Sequence, residues 1–176
     1  MSGSTESPYP DKLRVAIHEV GHIAVGFYGL GLTVTAGIYE LEPGKGDWRG
    51  NIPPGTALAG FHPTTADDWG QLVAFECGGW AAVHLATLRG DLPSAPHLGE
   101  QMPGDAGVLG PPPSDEANAR KWCQMSGHAD PVQLYNEARA LAVDMVRSHY
   151  AQVMALARAL HDREFVADDD VIDALS

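Results

Sequence analysis

The clearest periodic pattern of apolar residues lies near the start of the chain, between residues 11 and 29. Apolar side chains recur there at steps of three and four, the spacing that predicts one buried face of an α-helix. The members of this face are Leu13, Ile17, Val20, Ile23, Ala24 and Phe27. Asp11 is a typical N-cap and Gly29 a typical helix end, so the pattern predicts a helix between them.

A second long apolar pattern predicts a buried helix from Thr65 to Gly90. The pair Gly78-Gly79 lies inside this helix, where each glycine costs roughly 1 kcal/mol relative to alanine. We expect the pair to mark a close approach to another helix, and the helix over residues 11–29 is the natural neighbour.

Cap residues and periodicity predict four shorter helices towards the end of the chain. These are a helix capped by Ser114, a helix from Asp130-Pro131 to about Ser148, a continuation over residues 150–162, and a short capped helix over residues 168–175 after Phe165-Val166.

Extended segments are fewer and shorter than the helices. β-Branched and aromatic residues alternate over residues 33–39, which predicts a strand, and residues 57–61 form a weaker second candidate. Residues 42–54 between them are rich in turn formers. The predicted fold class is mainly α (α+β): a helical domain with a two- to three-stranded sheet beside the first helix.

The composition along the chain predicts a short N-terminal segment, a single domain and a long loop within that domain. Residues 1–10 are small and polar and predict a flexible N-terminus, whereas residues 11–176 predict a single domain. A length of 176 residues with 44% apolar content suffices for one sizeable core. Residues 89–113 predict an irregular loop, and loops of this length are more often functional or disordered than idle.

Charge and targeting signals narrow the classes of partner. A net charge of −12 repels phosphate backbones and anionic lipid surfaces, which argues against nucleic acid or a membrane as a partner. The sequence contains neither the apolar core of a signal peptide nor a membrane-length apolar stretch, so we expect a soluble, cytoplasmic protein.

Cys77 and Cys123 do not form a CxxC pair and are expected to be buried thiols.

The predicted first helix carries the sequence HEVGH at residues 18–22. Residues four apart on a helix share one face, about 5–6 Å apart at Cβ, so the imidazoles of His18 and His22 can bind one metal ion. Glu19 lies beside them and can accept a proton from a metal-bound water instead of binding the ion. This HExxH spacing on an amphipathic helix predicts a zinc hydrolase. Gly21 inside the helix indicates that another segment packs closely there or reaches the metal.

A catalytic zinc ion needs a third protein ligand. The residues alone leave several candidates open. They are Glu76, His84, His97, Glu100, Asp105 and Asp115.

Four segments resemble, in chain order, the peptidase domain of FtsH-type ATP-dependent zinc proteases. They are AIHEVGH at 16–22, ECGGWAA at 76–82, SDEANA at 114–119 and LARAL at 156–160. The family pattern runs HEAGH, then GGRAAEE, then a Ser-Asn-Asp helix start whose Asp is the third zinc ligand. The resemblance spans most of the chain thinly. It implies a zincin-like helical domain in which His18, His22 and Asp115 bind Zn²⁺ and Glu19 is the general base.

The chain departs from this family pattern in several places. Ser114-Asp115 lacks the intervening Asn, and Val83-His84 stands where the family carries two acids. The loop before Asp115 is longer, and would be either a lid or an obstruction. The sequence also contains no GxxxxGK[ST] phosphate loop and no membrane-spanning segment. We therefore expect a domain that does not unfold folded proteins by itself.

The expected function is that of a zinc-dependent endopeptidase that cleaves unfolded, flexible or presented segments without ATP. A separate unfoldase or adaptor could present such segments. Two alternatives use the same residues: a catalytically silent metal-bound module that grips a partner through its sheet edge, and a regulatory protease with one dedicated substrate. The oligomeric state, the cleavage specificity and the residue that stabilises the oxyanion stay open.

Overall fold

A computed structural model describes residues 11–52, 58, 60–93 and 115–176. Over these residues the chain forms six helices and three short strands, which confirms the predicted mainly α (α+β) class. The helices are α1 (Lys12–Leu30), α2 (Ala66–Arg89), α3 (Asp115–Met125), α4 (Pro131–Ser148), α5 (Tyr150–Arg163) and α6 (Asp168–Leu175). The strands are β1 (Ala36–Glu40), β2 (Trp48–Asn51) and β3 (Phe165–Val166).

Helix α1 lies at the centre of the domain and packs against α2, α4, α5 and the sheet. The predicted N-cap is confirmed, because the Asp11 carboxylate accepts the backbone N–H of Arg14 at 2.7 Å. The predicted end at Gly29 is wrong by two residues. Gly29 is still helical, and the helix ends at Gly31, whose φ of 64° is the left-handed conformation that glycine adopts most easily.

Helices α1 and α2 cross where Gly78 meets Gly21, which confirms that the Gly78-Gly79 pair marks a close approach to the first helix. A Cβ atom added to Gly78 would lie 2.5 Å from the carbonyl oxygen of Gly21 and 3.0 Å from the Cα of His22. Such contacts are too short for carbon atoms, so glycine is required for the two backbones to meet here. The crossing brings α2 directly against the part of α1 that carries the HEVGH sequence.

The three strands form an antiparallel sheet in the order β2-β1-β3. The strand predicted over residues 33–39 is β1. The candidate strand at residues 57–61 is wrong, because its described positions 58, 60 and 61 are not strand. The second strand is instead β2, within the turn-rich segment, because the Glu40 carboxylate accepts backbone N–H groups of Gly44 and Gly46 and closes a hairpin.

The helices that follow α2 match their predicted starts closely. The Asp130 carboxylate caps α4 by accepting the backbone N–H groups of Val132 and Gln133, each at 3.0 Å. A break at His149 separates α4 from α5. After α5, Phe165-Val166 turns back and pairs with β1 before α6 begins.

Some predicted features fall outside the described residues. They are the flexible N-terminus at residues 1–10, the Ser114 cap, and residues 94–113 of the predicted loop. Pro93 is the described residue that precedes this segment, and its carbonyl oxygen accepts a hydrogen bond from the guanidinium of Arg14 at 2.7 Å. Among the described helices, none combines the length and the apolar content that crossing a bilayer requires.

Candidate metal centre

Three side chains from two helices converge on a small space beside the helix crossing. His18 and His22 lie one turn apart on α1, and Asp115 is the first residue of α3. The Oδ2 atom of Asp115 is 2.9 Å from Nε2 of His18 and 3.2 Å from Nε2 of His22, and the two Nε2 atoms are 3.2 Å apart. In the part of the chain that the structure describes, this is the one group of three or more His, Cys, Asp or Glu residues placed to hold a metal ion.

The donor set fits a metal ion. In a tetrahedral site with bonds of about 2.0–2.2 Å, neighbouring donor atoms are roughly 3.3–3.6 Å apart. The observed separations of 2.9–3.2 Å differ from this by a few tenths of an ångström, which side-chain torsions can supply. Two imidazoles and a carboxylate also leave a four-coordinate ion one open position, as in catalytic sites. The His18, His22 and Asp115 group could therefore hold a metal ion.

His22 is oriented by the backbone of α2. Its Nδ1 lies 2.7 Å from the carbonyl oxygen of Phe75, and because a carbonyl can only accept, Nδ1 carries the proton in this bond. The Nε2 lone pair of a neutral His22 then points to Asp115 and His18, as a metal ligand requires. The His22 side chain is 5% exposed, whereas those of His18 and Asp115 are 35% and 41% exposed.

The charges of the site are strongly coupled. Burial lowers the pKa of His22, but the neighbouring Asp115 carboxylate, together with Glu19 and Glu76, outweighs burial and raises that pKa from 6.5 to about 10. Burial also raises the pKa of Asp115, yet the two imidazoles hold it well below its usual range. The metal-free site therefore keeps a proton on His22, next to an ionised carboxylate.

Metal binding is expected to release this proton. Only neutral imidazole binds a metal, so Zn²⁺ binding to the wild-type protein at about pH 8 should release about one proton from His22. The affinity should accordingly rise as the pH increases towards 10. Isothermal titration in two buffers of different ionisation enthalpy measures this release.

Asp115→Asn is the control for the proton-release measurement. It removes the carboxylate that raises the pKa of His22 most, while Glu19 and Glu76 still raise this pKa and burial still lowers it, so a smaller fraction of His22 would carry a proton at about pH 8. Any residual binding by this variant should then release less than the wild type. Identical proton release by the two proteins would contradict this account of the site.

Glu19 lies beside the donor group without belonging to it. Its side chain is partly buried against β2, where a Cβ atom added to Gly50 would overlap the Glu19 carboxylate. Burial raises the pKa of Glu19, and the nearby His18 and His22 offset part of this shift. A carboxylate with a raised pKa next to a metal position is suited to accepting and returning a proton.

The second glycine of the α2 pair faces the imidazoles. A Cβ atom added to Gly79 would lie 2.5 Å from Cε1 of His18 and 2.6 Å from Nε2 of both His18 and His22. Gly78 thus allows the helices to cross, and Gly79 leaves the space that the two imidazoles occupy.

Two of the other candidate ligands, Glu76 and His84, are described by the structure and are not part of the donor group. Glu76 is 7% exposed and accepts hydrogen bonds from Nε1 of Trp122 at 3.1 Å and Nδ2 of Asn118 at 3.5 Å. His84 stacks on Trp80 with ring centroids 5.0 Å apart. The remaining three candidates, His97, Glu100 and Asp105, lie outside the described residues.

Sequence reasoning missed two groups that shape the site. The carbonyl of Phe75 orients His22, and a backbone atom leaves no mark in a side-chain pattern. Gly50 makes room for Glu19, but it lies in a segment whose many glycines suggested only turns.

The sequence was compared with protein-family models and with curated proteins, and neither comparison found a relative. No family model matches the sequence. No curated protein is significantly similar to it. The resemblance to FtsH-type peptidases is therefore a prediction that depends on the short motifs.

Proposed function

We propose that this protein is a zinc-dependent endopeptidase similar to the peptidase domain of FtsH-type proteases. The observation that carries the proposal is the convergence of His18, His22 and Asp115, with Glu19 beside them and outside the donor group. These three residues would hold Zn²⁺, because imidazole and carboxylate donors in this number suit a catalytic zinc site. The bound ion would polarise the substrate carbonyl and acidify a coordinated water.

The residues of the chain have separate tasks in this proposal. Glu19 accepts the proton of the attacking water and later returns it to the leaving amine nitrogen. The raised pKa of Glu19 supports this role, because a general base works best when its pKa lies near the working pH. The Phe75 carbonyl keeps His22 in the tautomer that binds metal.

The edge of the sheet supports a peptide as the substrate. In the order β2-β1-β3, β2 pairs with β1 on one side, and no other described strand lies along its outer side. Glu19 packs against Gly50 of the same strand. An extended segment that added to β2 by backbone hydrogen bonds would therefore lie next to Glu19. Unfolded or flexible segments can adopt this conformation, whereas folded domains cannot.

Cleavage of unfolded casein tests the proposal. We expect the purified protein to cleave casein without ATP, to lose activity when a chelator removes its metal, and to recover it when Zn²⁺ is added back. Gel analysis of the fragments, together with metal analysis of each sample, measures both properties.

Two results would count against a peptidase. Zinc-loaded protein that binds casein without cutting it would favour the metal-bound binding module. Full activity in thoroughly demetallated protein would show that the His18, His22 and Asp115 group is not the catalytic centre.

A further inference from the structure

The helix that supplies Asp115 has a small apolar anchor. Helix α3 is 11 residues long, and its buried residues are Ala119 and Cys123. Asp115 must nevertheless meet two nitrogen atoms of α1 within a few tenths of an ångström, because metal ligands tolerate little displacement. Some further interaction is needed to fix the rotation of α3 about its axis.

A buried carboxylate on α2 provides this interaction. Oε1 of Glu76 accepts the indole N–H of Trp122 at 3.1 Å, and Oε2 accepts the amide of Asn118 at 3.5 Å. Asp115, Asn118 and Trp122 are spaced by three and four residues along α3, so they share one face of the helix. The face that meets Glu76 is therefore the face that carries Asp115.

Because Glu76 is buried, its carboxylate needs the hydrogen bonds that α3 donates. Glu76 is 7% exposed, and a buried carboxylate is costly unless hydrogen bonds satisfy it. Any rotation of α3 that moved Asp115 away from the imidazoles would also move Trp122 and Asn118 away from Glu76. A single rotation of α3 about its axis therefore both completes the hydrogen bonds of the buried Glu76 carboxylate and places Asp115 next to His18 and His22.

Glu76 also adjoins the residue that orients His22. The carbonyl oxygen of Phe75, the preceding residue on α2, accepts the His22 Nδ1 proton at 2.7 Å. Two consecutive residues of α2 therefore contact the two helices that carry the metal ligands.

We propose that Glu76 is a positioning residue for the metal site, which holds Asp115 against His18 and His22 through Trp122 and Asn118. This inference rests on the proposed function, since it requires a metal to bind at those three residues. Glu76 itself is outside the donor group, so this role does not require it to bind the ion.

Co²⁺ binding tests the inference, because the visible absorption of Co²⁺ reports its ligands independently of activity. Glu76→Ala should weaken Co²⁺ affinity by roughly 10–100-fold, the usual effect of losing a partner that orients a metal ligand. The absorption spectrum of the bound ion should change as well. Trp122→Phe keeps a ring and removes one hydrogen-bond donor to Glu76, so it should change affinity and spectrum in the same direction.

Two further variants separate positioning from general stability. Glu76→Gln keeps an oxygen for Trp122 and an amide that can pair with a reoriented Asn118, so it should retain the wild-type spectrum. Tyr28→Phe removes a different hydrogen bond, from the Tyr28 hydroxyl to the carbonyl of Leu175 at 2.7 Å, far along the chain from α3. It should leave the Co²⁺ spectrum unchanged, whatever its effect on the thermal midpoint.

The outcomes distinguish the inference from the proposed function. If the wild type binds Co²⁺ and both Glu76→Ala and Trp122→Phe keep its affinity and spectrum, the positioning role is overturned and the metal site stands. An equal spectral change in Tyr28→Phe would also overturn it, because the effect would then be general. A wild-type protein that binds neither Co²⁺ nor Zn²⁺ would overturn both proposals.

Discussion

Replacement of Glu19 by glutamine is expected to abolish peptide cleavage while leaving metal binding intact. The amide has the size of the carboxylate but cannot accept a proton from the attacking water, and loss of a general base costs roughly 10²–10⁴-fold in rate. Metal content should not change, because Glu19 is outside the donor group. Turnover of a peptide substrate and metal analysis of the same preparation measure the two effects.

The fold should tolerate this substitution. Because burial raises the pKa of Glu19, its ionised form destabilises the domain; this cost grows as the pH rises above the ordinary value of 4.5 and levels off above the raised pKa. Glu19→Gln removes the charge, so the free energy of unfolding near neutral pH should stay equal or increase. Lost activity could not then be attributed to unfolding.

Glu42→Gln is the matched control for Glu19→Gln. Glu42 is exposed in the hairpin between β1 and β2, so the same chemical change occurs outside the site. It should leave both turnover and metal content at wild-type values. Wild-type turnover in Glu19→Gln would contradict the proposed mechanism, whereas loss of metal would show that Glu19 is a ligand.

The starts of several helices could be predicted because they depend on residues close by in the sequence. Asp11, Thr65 and Asp130 each accept backbone N–H groups of the turn that follows, so their cap roles depend on a few neighbouring residues. The strands were less predictable. β3 pairs with β1 across more than a hundred residues, and β2 follows a hairpin turn in a segment that resembles a loop. Periodicity contains no information about such distant partners.

The residues of the candidate site also differ in whether local sequence signals could predict them. His18, Glu19 and His22 could be identified together because one helical turn sets their spacing. Asp115 is 93 residues beyond His22, so helical spacing gave no reason to prefer it over Glu76. The resemblance to a peptidase family selected it, and the structure places it at the two imidazoles.

Gly79→Ala is expected to weaken metal binding by roughly 10–100-fold, the usual effect of disturbing the orientation of metal ligands, without unfolding the domain. The new Cβ would lie 2.6 Å from Nε2 of both His18 and His22 and 2.5 Å from Cε1 of His18, so it would overlap both imidazoles. His22 cannot rotate away without losing its hydrogen bond to Phe75, so the ligand geometry must open. Alanine also gains roughly 1 kcal/mol of helix propensity over glycine, which offsets part of the strain.

Gly70→Ala makes the same change in the same helix and isolates the effect of position. A Cβ at Gly70 would meet its nearest neighbour, Cδ1 of Leu134, at 4.0 Å, which is ordinary contact. This variant should keep wild-type metal affinity and gain roughly 0.5–1 kcal/mol of stability. Competition with a chelator measures affinity, and circular dichroism confirms that both variants are folded. Wild-type affinity in folded Gly79→Ala would mean that the ion does not bind at the Nε2 atoms of His18 and His22, because a methyl group at Gly79 displaces both imidazoles.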